Sequence, residues 1–376
     1  MSRCVARGAR TIGGAAPAVT LPPVGTGRSE PTIRDVAARA GVSKSLVSLV
    51  LRQSPSVSDK RREAVLKAAA ELGYRANGLA RRLVSGRTHT SGVVVTDLLN
   101  PFYTEVLHGI NAEARAAAHR LLVVSGADVS EAVDAAEGLL ELRVEGLVLL
   151  GSELPADVIE RLGQEVPVVV VGAGADRYRK VDTVVDNDYF GAKLAVEHLV
   201  ALGHERIAHL AAETASAGRA RRAGYEAAMR DARLGRRIRV LPGDVTEQGG
   251  EVAARAALRG ARVTAMFAVN DLAAVGAYDA IEESGGSVPG TVSLVGYDNT
   301  FLARTHRFSL TTVNQPRQEM GELAMRTLLR RLSGVSAGRR MHMLPPTLIV
   351  RRSTAAPAPR VPRGSPAASA LRSGSR

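Results

Sequence analysis

Hydrophobic positions in the segment Thr32–Arg52 repeat with helical spacing on both sides of a glycine. The apolar residues of the first half recur at i, i+3, i+4 and i+7, and Thr32 is a suitable N-cap for the helix that this spacing predicts. Gly41 allows a sharp turn, and Ser43 can cap a second helix. Two short helices joined by a tight turn are typical of a helix-turn-helix, whose second helix enters the major groove of DNA.

The second predicted helix has one polar and basic face. Its outward positions, at i, i+1, i+4 and i+8, are Lys44, Ser45, Ser48 and Arg52. Such a face suits contact with phosphates and base edges. An ordinary helical hairpin with a solvated face explains the same residues, so the pattern by itself leaves both interpretations open.

A third helix completes a small helical domain. Ser58 and Asp59 can cap a helix that runs to Leu72, and Gly73 ends it. The inner stripe predicted for this helix consists of Val65, Leu66, Ala69 and Leu72.

The next segment, Asn77–Val84, is too short to be a stable helix in water by itself. It places Arg81 beside the apolar Leu83. One interpretation is a helix that forms only against DNA, with its arginines on phosphates and Leu83 wedged between base steps of the minor groove. The other is a plain interdomain linker.

From Ser91 onward, short apolar runs alternate with helical patterns. This alternation predicts an α/β protein with parallel sheets covered by helices on both faces. About ten strands are too many for one compact sheet of usual size, so we expect two similar lobes divided near Asp186. Ligands of such sheets bind beyond the carboxyl ends of the strands, which places a site in the cleft between the lobes. The later predicted elements include helices Arg221–Asp231 and Arg317–Leu332 and a terminal strand Thr347–Arg351.

Charge is distributed unevenly along the 376 residues. The formal net charge is +13 and the pI is about 10.6. Residues 1–90 hold 16 lysines and arginines against 5 acidic residues, whereas residues 91–350 hold 28 against 32. A basic N-terminal region on a slightly acidic body is the electrostatic pattern of a DNA-binding domain joined to a second domain. The charge therefore favours DNA binding over a plain hairpin.

The composition argues against several other classes of protein. Cys4 is the only cysteine and the histidines lack ligand spacing, so neither a disulfide framework nor a zinc site is expected. The N-terminus lacks the continuous apolar stretch of a secretory signal, so a cytoplasmic location is expected. Residues 1–30 and 354–376 have the composition of disordered segments. The first is either a basic arm that adds phosphate contacts or a plain extension.

Several motifs occur together in one order. They are TIRDVAARAGVSKSLVSLVL, ELGYRANGLARRLVSGRT, DLLNPFYTEVLHGI, HLVALGHERIAHL, GRARRAGYEAA, AVNDLAAVGA, SLVGYDNT and LTTVNQP. With them, the sequence from Pro31 to Ser353 resembles the transcription regulators of the lactose repressor (LacI/GalR) family. The resemblance implies a helix-turn-helix head over 31–76, a hinge helix and linker over 77–90, and a two-lobed core over 91–353 like that of periplasmic sugar-binding proteins.

The resemblance also implies a homodimer that binds a palindromic operator and represses genes of sugar uptake or catabolism. The family's base-reading positions fall on Lys44, Ser45 and Leu49, and its minor-groove leucine falls on Leu83. Leu49 departs from the polar or basic residue often found there and can contact either a thymine methyl or no base at all. The complete set of expected DNA-contacting residues is Thr32, Ser43, Lys44, Ser45, Ser48, Leu49, Arg52, Arg81 and Leu83.

A small, sugar-like effector in the cleft is expected to change the affinity for DNA, and no cofactor is expected. The family's effector contacts map onto Arg221, Asn270 and Asp298, whose charges and amide suit a polyhydroxylated ligand. Other interpretations stay open for single residues: Arg221 can be part of a surface ion pair, and Asp298 can be a loop cap.

One wall of the cleft is expected to follow the first strand. It consists of Asp97, Asn100, Phe102 and Tyr103, with one of the two aromatic rings stacked on a sugar. Val245 stands where some relatives place a stacking aromatic residue, which weakens the expected stacking surface.

Two other functions are compatible with parts of the chain. The predicted core alone would suit a solute-binding protein with no DNA role, although the basic head and the missing signal argue against it. The turn at Gly172-Ala173-Gly174 resembles part of a dinucleotide-binding loop, but it lacks the third glycine and the helix start. The sequence therefore favours a regulator over an enzyme.

Overall fold

The computed structural model describes residues 31–51, 54, 56–74, 87–172, 177–178, 180–260, 262–335 and 338–358. The predicted disordered arm over 1–30, the end of the predicted tail from 359 onward and residues 173–174 of the glycine turn lie outside this range. The chain divides into two compact units, Met1–Gly86 and Arg87–Arg376. Among the described residues, no helix has both the length and the apolar composition needed to cross a membrane.

The described part of the first unit is built from three helices. They are α1 (Ile33–Ala40), α2 (Lys44–Leu51) and α3 (Asp59–Glu71). The predicted N-caps of α1 and α2 are present, since Thr32 accepts a hydrogen bond from the Arg34 amide and Ser43 accepts one from the Leu46 amide. Gly41 has a φ of 64°, the left-handed conformation that the sharp turn requires.

Valines from all three helices form the core of this unit. Val36, Val47 and Val65 are fully buried. The predicted inner stripe of α3 was wrong at Leu66, which is 51% exposed, whereas Ala68 is buried. The inner face of α3 therefore follows Val65, Ala68 and Ala69, at i, i+3 and i+4.

The second unit contains two six-stranded sheets within its described residues. Their strand orders are β11-β5-β4-β3-β1-β2 and β12-β10-β9-β8-β6-β7. The strands of the first sheet are β1 (Thr90–Val95), β2 (Arg120–Ser125), β3 (Leu147–Leu150), β4 (Val168–Val171), β5 (Asp182–Asp186) and β11 (Met341–Leu344). The strands of the second sheet are β6 (Ile207–Ala211), β7 (Val240–Pro242), β8 (Ala265–Ala268), β9 (Ser293–Asp298), β10 (Thr311–Asn314) and β12 (Thr347–Ile349).

Helices pack on these sheets as the alternating pattern predicted. They are α4 (Pro101–Ala116), α5 (Val129–Glu141), α6 (Ala156–Glu165), α7 (Asp188–Ala201), α8 (Ser216–Asp231), α9 (Glu247–Arg259), α10 (Asp271–Glu283), α11 (Phe301–Arg304) and α12 (Arg317–Leu332). The prediction for α12 matches the observed bounds, whereas α8 begins earlier than predicted, at Ser216. Over the described strands, neighbours pair in parallel except β10 with β12, which is antiparallel.

The two lobes are not divided by a single point in the sequence. The chain leaves the first sheet after β5, near Asp186 as expected, but β11 later returns to pair with β5. Helix α12 also packs on the first lobe, where Met320 and Leu328 join its core. The chain therefore passes between the lobes three times, and the carboxyl ends of the strands in both sheets lie near these crossings.

Helices α4 and α12 cross at very short distance because each has a glycine at the contact. A Cβ on Gly109 would lie 2.1 Å from the Gln318 carbonyl oxygen, and one on Gly321 would lie 2.0 Å from that of Val106. Any larger side chain at either position would force the helices apart.

The ordered core extends beyond both of its predicted boundaries. Residues 87–90 were assigned to the linker, yet Thr90 begins β1 and the His89 amide donates to Glu145. The tail was expected to begin at residue 354, yet the Ala355 amide donates to Ser293 and the Ala355 carbonyl lies 2.8 Å from a ring nitrogen of His204. Residues 87–90 therefore join the first sheet, and Ala355 stays with the second sheet because its polar backbone groups meet the buried side chains of Ser293 and His204.

Candidate functional site

The outward face of α2 carries side chains that were predicted from the sequence to contact DNA. Lys44, Ser45 and Leu49 are exposed, and Ser48 is half-buried. The apolar face of the same helix packs against the core of the unit through the buried Val47 and Val50. The helix can therefore present Lys44 and Ser45 to a partner without any change in its packing.

Two of the expected DNA contacts already have roles in the fold. The Thr32 hydroxyl donates to Asp35 at 2.7 Å, and the Asp35 carboxylate accepts from the Thr32 amide at 2.7 Å. These hydrogen bonds lower the pKa of Asp35. Ser43 uses its hydroxyl oxygen as the N-cap of α2. Three further predicted residues, Arg52, Arg81 and Leu83, lie outside the described residues together with the predicted hinge helix.

In the second unit, Arg221 lies at the centre of a buried group of charges. It projects from α8 and is only 6% exposed, so the alternative of a surface ion pair is wrong. Its Nε donates to Asp188 at 2.7 Å, and its Nη1 donates to the Val269 carbonyl at 2.6 Å. The guanidinium also lies over the Tyr297 ring, 3.7 Å from the centroid.

Asp298, at the end of β9, faces the same guanidinium. Its Oδ1 accepts a hydrogen bond from the Gln315 side chain at 2.6 Å and lies 3.8 Å from Nη1 of Arg221. Burial raises the pKa of Asp298 to about 8, and the nearby charge of Asp271 adds to this rise, although Arg221 acts in the opposite direction. Desolvation therefore outweighs the ion pair at this carboxyl.

The aspartates that accompany Arg221, Asp186 and Asp188, were not predicted from the sequence. Asp186 ends β5 and accepts a hydrogen bond from the Tyr297 hydroxyl at 2.7 Å. Burial raises the pKa of Asp186 to about 7, and the charge of Asp188 raises it further. Asp186 directly follows the apolar run of a predicted strand, so the rule that ligands bind at the carboxyl ends of strands could have found it.

Asn270 lies near the carboxyl end of β8, and both the oxygen and the nitrogen of its side-chain amide form hydrogen bonds with the backbone. Its Oδ1 accepts from the Ala273 amide as the N-cap of α10, and its Nδ2 donates to the Val245 carbonyl at 2.8 Å. Asn270 therefore fixes the loop that contains Val245. Its role in ligand contact stays a prediction.

The first lobe contributes the opposite wall. Tyr103 packs against Gly151, and burial raises its pKa, with further contributions from the charges of Asp298 and Asp97. Tyr103 therefore lies beside Gly151, which directly follows β3. Phe102 is 6% exposed and belongs to the hydrophobic core, so Tyr103 is the better placed of the two rings for a ligand.

The remaining predicted wall residues shape the loop after β1. Asp97 accepts a hydrogen bond from the Leu99 amide at 2.8 Å, and Asn100 caps α4 by accepting one from the Phe102 amide at 3.0 Å. Asn100 is buried and Asp97 is half-buried. Asp97 is therefore the more solvent-accessible of the two residues.

Glu153 makes a direct polar contact between the lobes. Glu153, which follows β3, accepts hydrogen bonds from the amide and the hydroxyl of Ser216 at the start of α8, both at 2.7 Å. Arg317 at the start of α12 donates to Glu105 on α4 at 2.9 Å, and this contact joins two helices of the first lobe. The contact between Glu153 and Ser216 spans the lobes at the start of α8, the helix that also carries Arg221.

The chemistry of the cleft suits a polar, hydroxyl-rich ligand. It combines one guanidinium with several carboxyls and a tyrosine hydroxyl, which together offer donors and acceptors to such a molecule. Over the described part of the chain, these cleft side chains do not form a group with metal-binding spacing.

Comparison with known proteins gives consistent matches over most of the chain. Residues 32–77 match the family of bacterial regulatory proteins described as the lacI family, and residues 196–354 match a periplasmic binding protein-like domain. The HTH-type transcriptional repressor PurR of Erwinia tasmaniensis is 35% identical over 330 residues, which cover 86% of this chain and 97% of that protein.

Solved structures match over a similar length. The Lac repressor dimer bound to operator and the anti-inducer ONPF aligns with a TM-score of 0.79 and 29% identity, and the match covers 87% of this chain and 100% of that one. The complex of the transcriptional regulator CelR with cellobiose aligns with a TM-score of 0.65 and 31% identity, covering 86% and 99% of the two chains.

Proposed function

Because the chain belongs to the LacI family of bacterial regulatory proteins, we propose that it is a transcriptional repressor whose affinity for DNA depends on a small ligand. The observation that carries this proposal is the presence of two separate sites on one chain. An exposed reading face lies on α2, and a buried, charged cleft lies between the two lobes of the core.

The proposed DNA partner is a double-stranded, near-palindromic operator bound by a homodimer. Lys44 can donate to guanine acceptors in the major groove, and Ser45 can donate or accept. Leu49, at 38% exposed, can contact a thymine methyl. The Lac repressor structure similar to this chain is a dimer bound to operator, which supports the same arrangement.

The proposed ligand is a sugar or a sugar derivative. Arg221, Asp298 and Tyr103 supply the donors and acceptors that a polyhydroxylated ring requires. CelR, which is similar over most of the chain, is solved with cellobiose. The regulated genes would then serve the uptake or catabolism of that sugar, and the protein would act in the cytoplasm, where the DNA lies.

The ligand would act by binding one arrangement of the lobes more tightly than another. The contact between Glu153 and Ser216 joins the lobes in this structure. A ligand that favours or opposes this contact would change the population of the joined state. Such a difference in affinity is the only means by which it can change DNA binding.

Selection of DNA from a random pool tests the proposal. The purified full chain is used at about 0.15 M salt, where nonspecific phosphate contacts are weak. The expected result is a palindromic consensus that the double variant Lys44→Ala/Ser45→Ala fails to recover. Recovery of no common sequence in the presence and absence of a sugar panel would favour a solute-binding protein without a DNA role.

A further inference from the structure

Three side chains with metal-binding atoms converge at the edge of the first sheet that lies opposite the cleft. His89 precedes β1, His119 precedes β2, and Glu145 lies just before β3. These strands are neighbours in the order β2-β1-β3 and run parallel, so their amino ends meet at one edge. One ligand atom from each residue lies within 4.8 Å of the other two.

His119 supplies an independent indication of a missing partner. It is 7% exposed, and its Nε2 is buried without a hydrogen-bond partner among the described residues. A buried ring nitrogen without a partner destabilises the fold, because it has lost its hydrogen bond to water and has not formed another. Histidine binds a metal ion through the lone pair of a neutral ring nitrogen, and the buried Nε2 of His119 can supply one.

Glu145 supplies the negative charge. Burial alone would raise its pKa, but the His89 amide and the Arg87 guanidinium hold it below its ordinary value. Its Oε1 accepts from the His89 amide at 2.8 Å, and its Oε2 lies 3.4 Å from Arg87. A carboxylate has about four lone-pair positions, so it can retain both contacts and still bind a cation.

We propose that His89, His119 and Glu145 bind one divalent transition-metal ion of the zinc class. Two imidazoles and one carboxylate, completed by water, are a common ligand set for zinc. Tetrahedral coordination at bond lengths of about 2.0–2.1 Å places ligand atoms about 3.4 Å apart. The side chain of His89 is exposed and can make the small approach that this requires.

The site lies where the core begins, shortly after the end of the N-terminal unit at Gly86. A bound ion would fix His89 to the loops that precede β2 and β3. The sequence gives no sign of this site, because its ligands come from three separated loops and have no common spacing.

Zinc binding by the full chain tests the proposal. The protein is prepared without a histidine tag, stripped with a chelator, and titrated with ZnCl₂ against a competing chelator in the calorimeter. The expected result is one zinc ion per chain. His89→Ala should weaken binding by at least about tenfold, since loss of even an outer partner costs 10–100-fold. Glu145→Gln should weaken it as well.

His108→Ala is the matched control, because His108 is exposed on α4 and lies outside the cluster. It should bind zinc as the unaltered chain does, and circular dichroism should show that all variants are folded. Failure of the unaltered chain to bind zinc at micromolar concentration would overturn the proposal, as would equal losses in His89→Ala and His108→Ala. Neither DNA nor sugar is present, so the outcome is independent of the proposed regulatory function.

Discussion

At the scale of single residues, the cleft is governed by the balance between burial and charge. Arg221 is one buried cation that faces the carboxyls of Asp186, Asp188 and Asp298. Burial alone would lower the pKa of Arg221, but these carboxyls, chiefly Asp188, raise it. Burial raises the pKa of Asp186 to about 7 and that of Asp298 to about 8, because one guanidinium does not offset the desolvation of all these carboxyls.

Asp298→Asn should change how stability depends on pH. A carboxyl whose pKa is raised on folding adds stability that is fully present below about pH 4 and is lost as the pH rises to about 8. Asparagine does not titrate, so the melting temperature of the unaltered chain, relative to that of Asp298→Asn, should fall as the pH is raised through this window. Scanning calorimetry at several pH values measures this difference.

The exposed Asp134 provides the control for net charge. Asp134→Asn should not reproduce the pH-dependent difference. A constant gap between the unaltered chain and Asp298→Asn across this pH range would show that Asp298 is not the titrating group.

Lys44→Ala should weaken binding to the selected operator by about 1–3 kcal/mol and relax the base preference at one position in each half-site. The reason is that an exposed lysine on the reading face can bind guanine acceptors directly. Fluorescence anisotropy with the operator and its single-base variants measures both effects. Lys67→Ala, at an exposed lysine of α3, should leave the base preference unchanged.

At the scale of helices and strands, the sequence predicted an element correctly where its capping residues and its hydrophobic periodicity indicated the same helix. Thr32, Ser43 and Gly41 were assigned correctly because their roles depend on adjacent residues. Strand β11 was missed because it is a short edge strand whose outward positions, such as Met341, are exposed. Its place beside β5 depends on Asp182, which accepts from the backbone amide of a residue 158 positions away.

Thr32→Ala should destabilise α1 by about 1 kcal/mol, because it removes both hydrogen bonds of the Thr32 hydroxyl. Hydrogen exchange of the α1 amides in the full chain measures the loss of protection. Thr32→Ser keeps the hydroxyl and should retain most of the protection. Equal exchange in Thr32→Ala and the unaltered chain would show that the capping box does not stabilise this helix.

The predicted hinge helix leads to an expectation of its own. If Leu83 enters the minor groove, Leu83→Gly should weaken operator binding by at least about tenfold, since both the wedge and the helical propensity are lost. Ligand binding, followed by thermal shift, should not change. Unchanged operator affinity in the anisotropy assay would reject the hinge mechanism.

At the scale of the whole molecule, the sequence indicated two lobes and a cleft but not how the chain connects them. The return of α12 and β11 to the first lobe depends on contacts between distant segments, which periodicity does not encode. The cleft residues Arg221, Asp298 and Asn270 came from the family resemblance. Glu153 was missed because its partner, Ser216, lies in the other lobe.

In the proposed mechanism, ligand binding in the cleft changes the affinity for DNA. The most direct test measures the dissociation constant of the selected operator with and without a saturating sugar that raises the melting temperature of the protein. We predict a change of at least about fivefold, in the usual range of allosteric coupling. An identical dissociation constant in the two conditions, with the sugar shown to be bound, would contradict the account.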